Sequence, residues 1–348
     1  MKQTAVIIAP GRGTYNRSEL GYLARHHGDK TPLLNAFDSY RQDQQQESIS
    51  ALDSAERFSV AKHTRGDNAS GLIYACAYAD FLSINRDCFD IIGVTGNSMG
   101  WYVALACAGA LGAMGGFEVV NTMGTLMQQS LIGGQLIYPF VDENWVEIPH
   151  ARQKIESKLA EINARSGHML ALSIDLGGML VIAGNEAGLS AFEAEMPPVQ
   201  DRFPLRLPNH AGFHTSLQAP VAALGQAQLP LGLFHQPELP LIDGRGALWY
   251  PDAVDLSALR NYTLGHQVTQ TYDFTGAIRT AARELMPDVF IVLGPGTTLG
   301  GAVAQSFLQA EWRGMSCKAD FLTAQAGTLR LISMGHADQR DQTAGDEA

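Results

Sequence analysis

The segment Gly96-Asn97-Ser98-Met99-Gly100 has the Gly-x-Ser-x-Gly spacing of a nucleophile elbow. In such a turn the flanking glycines let a strand pass abruptly into a helix, so the serine hydroxyl stands exposed at the helix start. The first N–H groups of a helix have no intrahelical partner, and the main-chain N–H of Met99 can therefore face a developing oxyanion. The pattern favours a nucleophilic role for Ser98 over a plain strand-to-helix turn.

A serine nucleophile needs a general base, and the chain has ten histidines. His336 fits the Ser–acid–His order of hydrolases, because it lies near the end of the chain. His210 and His214 follow the proline-flanked segment 205–207, and the residues alone leave the choice among these three open. The other seven are expected at the surface (His26, His27, His63, His150 and His168) or show no sign of a partner (His235 and His266).

Short apolar segments that end in glycine-bearing turns indicate how these residues are positioned. Residues 5–9, 91–95 and 289–293 are such segments, and helical stretches lie around them. Strand, glycine turn and helix in succession predict a parallel α/β sheet with its functional site at the carboxyl ends of the strands.

The region from about 133 to 206 has a different order of elements, of which the last is a predicted strand at the proline-flanked residues 205–207. Its pattern is strand, helix, two strands, helix and strand, with a hairpin across Leu176-Gly177-Gly178, and this predicts a small ferredoxin-like α+β insert. We therefore expect a large catalytic domain over residues 1–129 and 201–336 and a small subdomain over 130–200. The polar residues 337–348 are expected to form a disordered tail.

The composition excludes several classes of protein. Of the 348 residues, 46% are hydrophobic and 17% charged, so the chain can bury a large core and is neither disordered nor a coiled coil. A net charge of −11 argues against nucleic-acid binding, and no apolar stretch is long enough to span a membrane. The glycine turns lack the spacing of nucleotide loops, and no cluster of residues has metal-ligand spacing. The cysteines form no C-x-x-C pair and are expected to be reduced core thiols of a cytoplasmic protein: Cys76, Cys88, Cys107 and Cys317.

Four separated sequence blocks resemble, in the same order, the malonyl-CoA:acyl-carrier-protein transacylase family, the acyltransferases of fatty-acid and polyketide synthesis. The blocks are Pro10-Gly11-Arg12-Gly13, the elbow with the helix that follows it, Phe213-His214-Thr215 with Ala219-Pro220, and Leu293-Gly294-Pro295-Gly296. Val181-Ile182-Ala183-Gly184 in the predicted insert also matches. The resemblance extends over almost the whole chain and implies an α/β hydrolase-like core with a parallel sheet and a ferredoxin-like insert.

The resemblance also implies a role for each site residue. Ser98 corresponds to the nucleophile and His214 to the general base, whose imidazole is oriented by the main-chain carbonyl of Gln267 and not by a carboxylate. The N–H groups of Met99 and Arg12 correspond to the oxyanion hole. The implied reaction transfers an acyl group from coenzyme A, through an acyl-serine, to the phosphopantetheine thiol of an acyl carrier protein, and it needs no permanently bound cofactor.

Three positions depart from the family pattern. Arg12 replaces glutamine, Asn97 replaces the usual histidine, and Met123 occupies the position 25 residues after Ser98, where the family has an arginine that pairs with the malonyl carboxylate. Met123 and Asn97 are expected to line the acyl pocket. Burying a carboxylate without a partner is costly, so either the acyl group is uncharged or another cation, such as Arg12, meets it.

Two other functions remain open at the level of the sequence. An acyl-thioester hydrolase with an editing role would use the same serine, with water in place of the carrier thiol, and loss of the arginine fits such a role. A non-catalytic scaffold is disfavoured, because both Ser98 and His214 are present.

Overall fold

The computed structural model describes residues 2–344, which form two β-sheets with helices packed around them. The strands are β1 (Gln3–Ala9), β2 (Phe89–Gly96), β3 (Gly134–Pro139), β4 (Leu170–Leu176), β5 (Met179–Gly184), β6 (Leu205–Arg206), β7 (Leu241–Ile242), β8 (Leu248–Trp249), β9 (Tyr272–Asp273), β10 (Val289–Val292) and β11 (Leu331–Ser333). No helix within residues 2–344 combines the length and the apolar character needed to cross a bilayer.

The helices are α1 (Tyr22–His26), α2 (Thr31–Asp43), α3 (Ile49–Asp53), α4 (Val60–His63), α5 (Gly66–Ser83), α6 (Gly100–Cys107), α7 (Ala113–Gln129), α8 (Ala151–Asn163), α9 (Glu186–Glu195), α10 (Ala219–Gln228), α11 (Leu256–Asn261), α12 (Gln267–Thr269), α13 (Phe274–Thr280), α14 (Gly300–Gln309), α15 (Lys318–Gly327) and α16 (Ala337–Ala344). Two π-helical turns, Tyr262–His266 and Ala281–Leu285, continue α11 and α13.

The larger sheet has the strand order β11-β10-β1-β2-β7-β8. Every pair in it is parallel except β7 with β8. Strands β1 and β10 are almost continuously apolar and buried, as expected for parallel strands that are covered on both faces. Because parallel strands end at the same edge, the turns after β10, β1 and β2 lie side by side, and the elbow serine is in the turn after β2.

The smaller sheet has the order β6-β3-β5-β4-β9 and is packed against α8 and α9. Strands β3, β4 and β5 pair antiparallel, as predicted for the hairpin and its neighbour. Two short strands come from outside the predicted range 130–200: β6 pairs with β3, and β9 pairs in parallel with β4. The predicted last strand, at residues 205–207, corresponds to β6, whereas the two-residue β9 gives no periodic signal in the sequence, so the smaller sheet extends beyond the expected range 130–200.

The expected disordered tail needs a second correction, because residues 337–344 form helix α16, while residues 345–348 lie outside the described part. Arg340 of α16 forms a 2.8 Å ion pair with the fully buried Asp80. Asp80 also lies 2.7 Å from His27 Nε2 and accepts a 2.8 Å hydrogen bond from Tyr22. A polar composition conceals such a helix, because a few buried contacts of one arginine are enough to anchor it.

Two histidines and two cysteines lie elsewhere than expected. His27 and His63 are fully buried, not exposed, because each has polar partners in the core; those of His63 are main-chain groups of Ser59 and Leu52. Cys88 is exposed and Cys317 half-buried, whereas the other two cysteines are core residues as expected, and all four thiols are unpaired.

Candidate active site

The turn between β2 and α6 holds Ser98 in the left-handed region, with φ of 56°. The backbone leaves no room for a side chain two residues before or after Ser98. A Cβ on Gly96 would overlap the carbonyl of Gly100, and one on Gly100 would overlap the carbonyl of Ala9. A serine in a strained strand-to-helix turn, held by close backbone contacts, is the geometry of a nucleophile elbow.

Ser98 Oγ lies 2.7 Å from Nε2 of His214, and Nδ1 of His214 lies 2.6 Å from the main-chain oxygen of Gln267. Helix α12 ends at Thr269, so the Gln267 carbonyl is in a last turn and has no intrahelical partner. A carbonyl can only accept, so Nδ1 carries the proton and Nε2 accepts from the Ser98 hydroxyl. The structure thus brings together the three residues that the family resemblance singled out.

Burial controls the charge of His214, of which 4% is exposed. Desolvation lowers the pKa of its imidazole to about 4, and the hydrogen bond to Gln267 opposes that shift only in part. The ring is therefore neutral at neutral pH, which is the state that a general base requires.

The two rival histidines have other neighbours. Nδ1 of His210 lies 2.7 Å from Oε1 of Gln135. His336 is exposed in the turn after β11, where its main-chain N–H donates to Ser333. Within residues 2–344, Ser98 is hydrogen-bonded through its hydroxyl to His214 and to neither rival.

The side chain of Gln267 has a role that the sequence did not indicate. Its Nε2 donates a 3.0 Å hydrogen bond to the main-chain oxygen of Ser98, and its Oε1 accepts a 3.1 Å hydrogen bond from the Tyr102 hydroxyl. Tyr272 donates to the carbonyl of Gly96 at 2.5 Å. The sequence offers one indication of these contacts: a buried tyrosine hydroxyl needs a hydrogen-bond partner, which applies to Tyr102 and Tyr272.

The two predicted oxyanion donors, Met99 and Arg12, border the same small cavity as Ser98. In the part of the chain that the structure describes, the main-chain N–H of neither residue donates a hydrogen bond. Both groups are thus available to an oxygen that develops negative charge beside Ser98.

The small cavity beside Ser98 and His214 has a volume of about 30 Å³. Met123 of α7 lines it and is fully buried, and the apolar Val120, Met127 and Val268 line it as well. Helix α10 packs closely behind it, since a Cβ on Gly225 would lie 2.6 Å from Met123 Sδ. The position at which the family has its arginine is therefore an apolar wall here.

Among the residues in 2–344 that line this cavity, Arg12 is the one with a permanent charge. Its Nη2 donates to the main-chain oxygens of Thr64 (3.0 Å) and Asn209 (3.1 Å), and its guanidinium lies 5.3 Å from the ring centre of Phe213. Nη1 is buried and has no partner within the described residues. Desolvation is the larger effect on Arg12 and the negative charge of Asp67 opposes it, so that the pKa is lowered to about 10. The side chain therefore stays charged at neutral pH.

A second cavity of about 310 Å³ reaches Ser98 from the side of the smaller sheet. Ile137, Ile174 and Val181 line it on one side, and Leu299 lines it on the other. Asn97 borders this cavity and not the one that Met123 lines, which corrects the expectation that both residues line one acyl pocket. Asn97 and Ser98 are adjacent in a tight turn, so their side chains point to different sides. Asn97 therefore does not share the small cavity with Met123.

The described residues bring no group of three or more His, Cys, Asp and Glu side chains together as a metal site.

Comparison with protein-family models gives no match. Among curated proteins, the malonyl CoA-acyl carrier protein transacylase of Salmonella typhimurium is 24% identical over 211 residues. That alignment covers 60% of this chain and 63% of the relative, which is less than two thirds of the relative's length.

Solved structures match over nearly the whole chain. The acyl-carrier-protein S-malonyltransferase of Burkholderia pseudomallei is 20% identical, with a TM-score of 0.73 and 99% of each chain covered. The malonyl-CoA:acyl carrier protein transacylase of Xanthomonas oryzae is 18% identical, with a TM-score of 0.74 and 98% of each chain covered. The sequence resemblance and the predicted fold class are thereby confirmed: this chain has the fold of the malonyl-CoA:acyl-carrier-protein transacylases, a hydrolase-like α/β core with a small ferredoxin-like subdomain.

Proposed function

We propose that the chain is an acyltransferase that moves an acyl group from coenzyme A to the phosphopantetheine thiol of an acyl carrier protein. The observation that carries the proposal is the contact of Ser98 Oγ with His214 Nε2 at 2.7 Å, with His214 Nδ1 held on the Gln267 carbonyl at 2.6 Å. This arrangement is a nucleophile, a base and a group that orients the base, at the start of a helix.

In the first half-reaction His214 takes the proton of Ser98, and Oγ attacks the thioester carbonyl. The oxyanion accepts hydrogen bonds from the main-chain N–H groups of Met99 and Arg12. The C–S bond then breaks, the coenzyme A thiol leaves with the proton from His214, and an ester on Ser98 remains. In the second half-reaction His214 takes the proton of the carrier thiol, and the sulfur attacks the ester carbonyl. The bond between the acyl carbon and Ser98 Oγ then breaks, and His214 returns the proton to Oγ.

The names of similar proteins support this reaction. The Salmonella relative is named a malonyl CoA-acyl carrier protein transacylase. One matched structure, 18% identical with a TM-score of 0.71, is a malonyl-transacylase in complex with a polyketide-synthase acyl-carrier protein.

The proposed mechanism uses no permanently bound cofactor, and the four unpaired thiols fit a reducing, cytoplasmic location. We likewise propose that the smaller sheet and its helices act as a subdomain that covers the cleft.

Two acyl classes compete for the site. Malonyl is the acyl group in the relatives' names, and Arg12, with its unpartnered Nη1, is the cation that would meet its carboxylate. The apolar wall around Met123 instead favours an uncharged acyl group, because an unpaired buried carboxylate costs several kcal/mol. The small volume of this cavity favours a short chain.

The proposal is tested by intact-mass measurement after the protein is mixed with malonyl-, acetyl- and hexanoyl-CoA. We expect an adduct of one acyl group in the wild type and none in Ser98→Ala, which keeps the fold because only the hydroxyl is lost. Adding the phosphopantetheinylated carrier protein should discharge the adduct onto the carrier. Absence of an adduct with every thioester would refute the function, and discharge at the same rate without a carrier would identify a hydrolase.

A further inference from the structure

A chain of hydrogen bonds links the smaller sheet to the segment that carries His214. Nδ1 of His210 lies 2.7 Å from Oε1 of Gln135, Nε2 of Gln135 donates to Oγ of Ser173 at 2.6 Å, and Ser173 donates to the main-chain oxygen of Phe213 at 2.8 Å. Gln135 is 2% and Ser173 0% exposed. Ser173 is the extra residue of a bulge in β4, and such bulges redirect a side chain away from the regular pleat.

The direction of this chain is fixed by its last member. The Phe213 carbonyl can only accept, so the Ser173 hydroxyl donates to it and accepts from the Gln135 amide N–H. Gln135 then presents its oxygen to His210, so Nδ1 of His210 must carry the proton. Nε2 of His210 is left with a free lone pair, and within residues 2–344 it has no hydrogen-bond partner.

His210 is suited to accept a hydrogen bond but not a proton. Desolvation, together with the positive charge of Arg12, lowers the pKa of its imidazole to about 3. The ring is therefore neutral at neutral pH, and its free nitrogen acts as an acceptor.

The free acceptor borders the cavity of about 310 Å³ that also reaches Ser98. Most of the wall around it is apolar, including Ile137, Leu176 and Leu207. Asn97 also borders this cavity, and its Oδ1 is a buried acceptor without a partner among the described residues. His210 is half-buried, so its Nε2 is open to the cavity, whereas the acceptor of Asn97 is buried. Two unmatched acceptors beside a largely apolar cleft favour a ligand that brings hydrogen-bond donors on a largely apolar chain.

The substrate of the proposed function has this chemistry. A thioester that reaches Ser98 lays its pantetheine arm in the cavity, and that arm is a largely aliphatic chain with two secondary amides and one hydroxyl group. We propose that His210 Nε2 accepts a hydrogen bond from an amide N–H of the pantetheine arm and that the Gln135–Ser173–Phe213 relay holds His210 in the tautomer that can do so. This inference rests on the proposed function and makes His210 a binding residue for the arm.

The test compares acyl-pantetheine with its two N-methyl analogues, one methylated at each amide, as donors of an acyl group that the wild type accepts from coenzyme A. The rate of Ser98 acylation at low substrate, kcat/KM, is followed by intact mass. In the wild type, one of the two methylations should lower the rate by about 3- to 10-fold beyond the other, the value of a neutral hydrogen bond. In His210→Phe, which has a ring but no acceptor, that difference should disappear, with the loss in KM and not in kcat.

A second variant keeps the test valid if His210→Phe fails to fold. Gln135→Met removes the acceptor that fixes the His210 proton on Nδ1, so the selectivity for the N–H analogue should fall, and the ¹⁵N chemical shifts of His210 should report a mixture of tautomers. Equal selectivity in the wild type and both variants would overturn the role of His210 but leave the acyltransferase intact. Failure of every thioester to acylate the wild type would refute the proposed function itself.

Discussion

The main-chain oxygen of Gln267 lies 2.6 Å from Nδ1 of His214, at the place where a serine hydrolase has a carboxylate. The side chain of the same glutamine donates to the main-chain oxygen of Ser98 at 3.0 Å. One residue therefore contacts both members of the proposed catalytic pair. Its backbone orients the base, and its side chain fixes the turn that presents the nucleophile.

The side chain of Gln267 can be removed without removing the carbonyl that contacts His214. In Gln267→Leu we expect Ser98 acylation to slow by about tenfold, because the elbow loses one hydrogen bond and the Tyr102 hydroxyl loses its acceptor. Tyr102→Phe is the matched control and should slow acylation less, since it leaves the bond to Ser98 in place. Equal rates in Gln267→Leu and the wild type would show that the backbone carbonyl alone is sufficient.

Replacement of the proposed base should affect the chemical step directly. His214→Ala is expected to slow acylation by about 100- to 10,000-fold, the usual contribution of a positioned general base. His336→Ala is the control, because this histidine is exposed and does not contact Ser98, and its rate should equal that of the wild type. A large loss in His336→Ala with little change in His214→Ala would reverse the assignment of the base.

The pH dependence of acylation should reflect a buried base. Only neutral His214 can take the serine proton, and burial lowers its pKa from 6.5 to about 4. We expect kcat/KM for acylation to stay flat from neutral pH down to about pH 5 and to fall with an apparent pKa of about 4. Short pH-jump assays separate this effect from unfolding. A midpoint near 6.5 would mean that the base is solvated in the working enzyme.

Stability should fall in an acidic window for the same reason. His214 and His210 have folded-state pKa values of about 4 and about 3, below the ordinary value of 6.5, so the unfolded chain binds more protons than the folded one. The stabilisation they give is complete above pH 6.5 and is lost as the pH falls towards these folded values. Urea unfolding between neutral pH and pH 4 measures the decline, which should be smaller in His210→Phe.

Specificity can be tested at Met123 and Arg12. If the acyl group is uncharged, wild-type protein should react with acetyl-CoA at least as fast as with malonyl-CoA, and Met123→Arg should raise the malonyl preference by about 10- to 100-fold. If Arg12 meets the carboxylate instead, the wild type should prefer malonyl-CoA, and Arg12→Gln should abolish that preference. Acylation rates with the two thioesters in the three proteins distinguish these outcomes.

Helix α16 offers a test of stability away from the site. Arg340→Ala leaves the buried Asp80 without its 2.8 Å ion-pair partner, and we expect a loss of about 3 kcal/mol in the free energy of unfolding. Gln342→Ala on the same helix is exposed and should change stability by less than about 0.5 kcal/mol. Equal effects in urea titrations would show that the ion pair does not anchor the helix.

The sequence was most informative where local pattern and tertiary environment agree. The apolar segments of β1, β2 and β10 and the glycines of the elbow specify buried parallel strands with tight turns at one edge, and these were predictable. Partners far apart in the chain were not: neither the burial of His27 against Asp80 nor the anchoring of α16 by Arg340 leaves any local periodicity. The direction in which Ser173 points depends on a bulge, which only the paired strand reveals.

The carbonyl that orients His214 also decides the electrostatic character of the proposed reaction. A carboxylate in that position would keep one negative charge in the site throughout, whereas a carbonyl contributes only a dipole. When the serine proton moves to His214 and the oxyanion forms, one positive and one negative charge appear together, and their sum stays zero. Ser98, His214 and the orienting carbonyl therefore carry no net charge together from start to end. The orienting group repels neither a neutral acyl chain nor an anionic one, and discrimination between them is left to the residues around Met123 and Arg12.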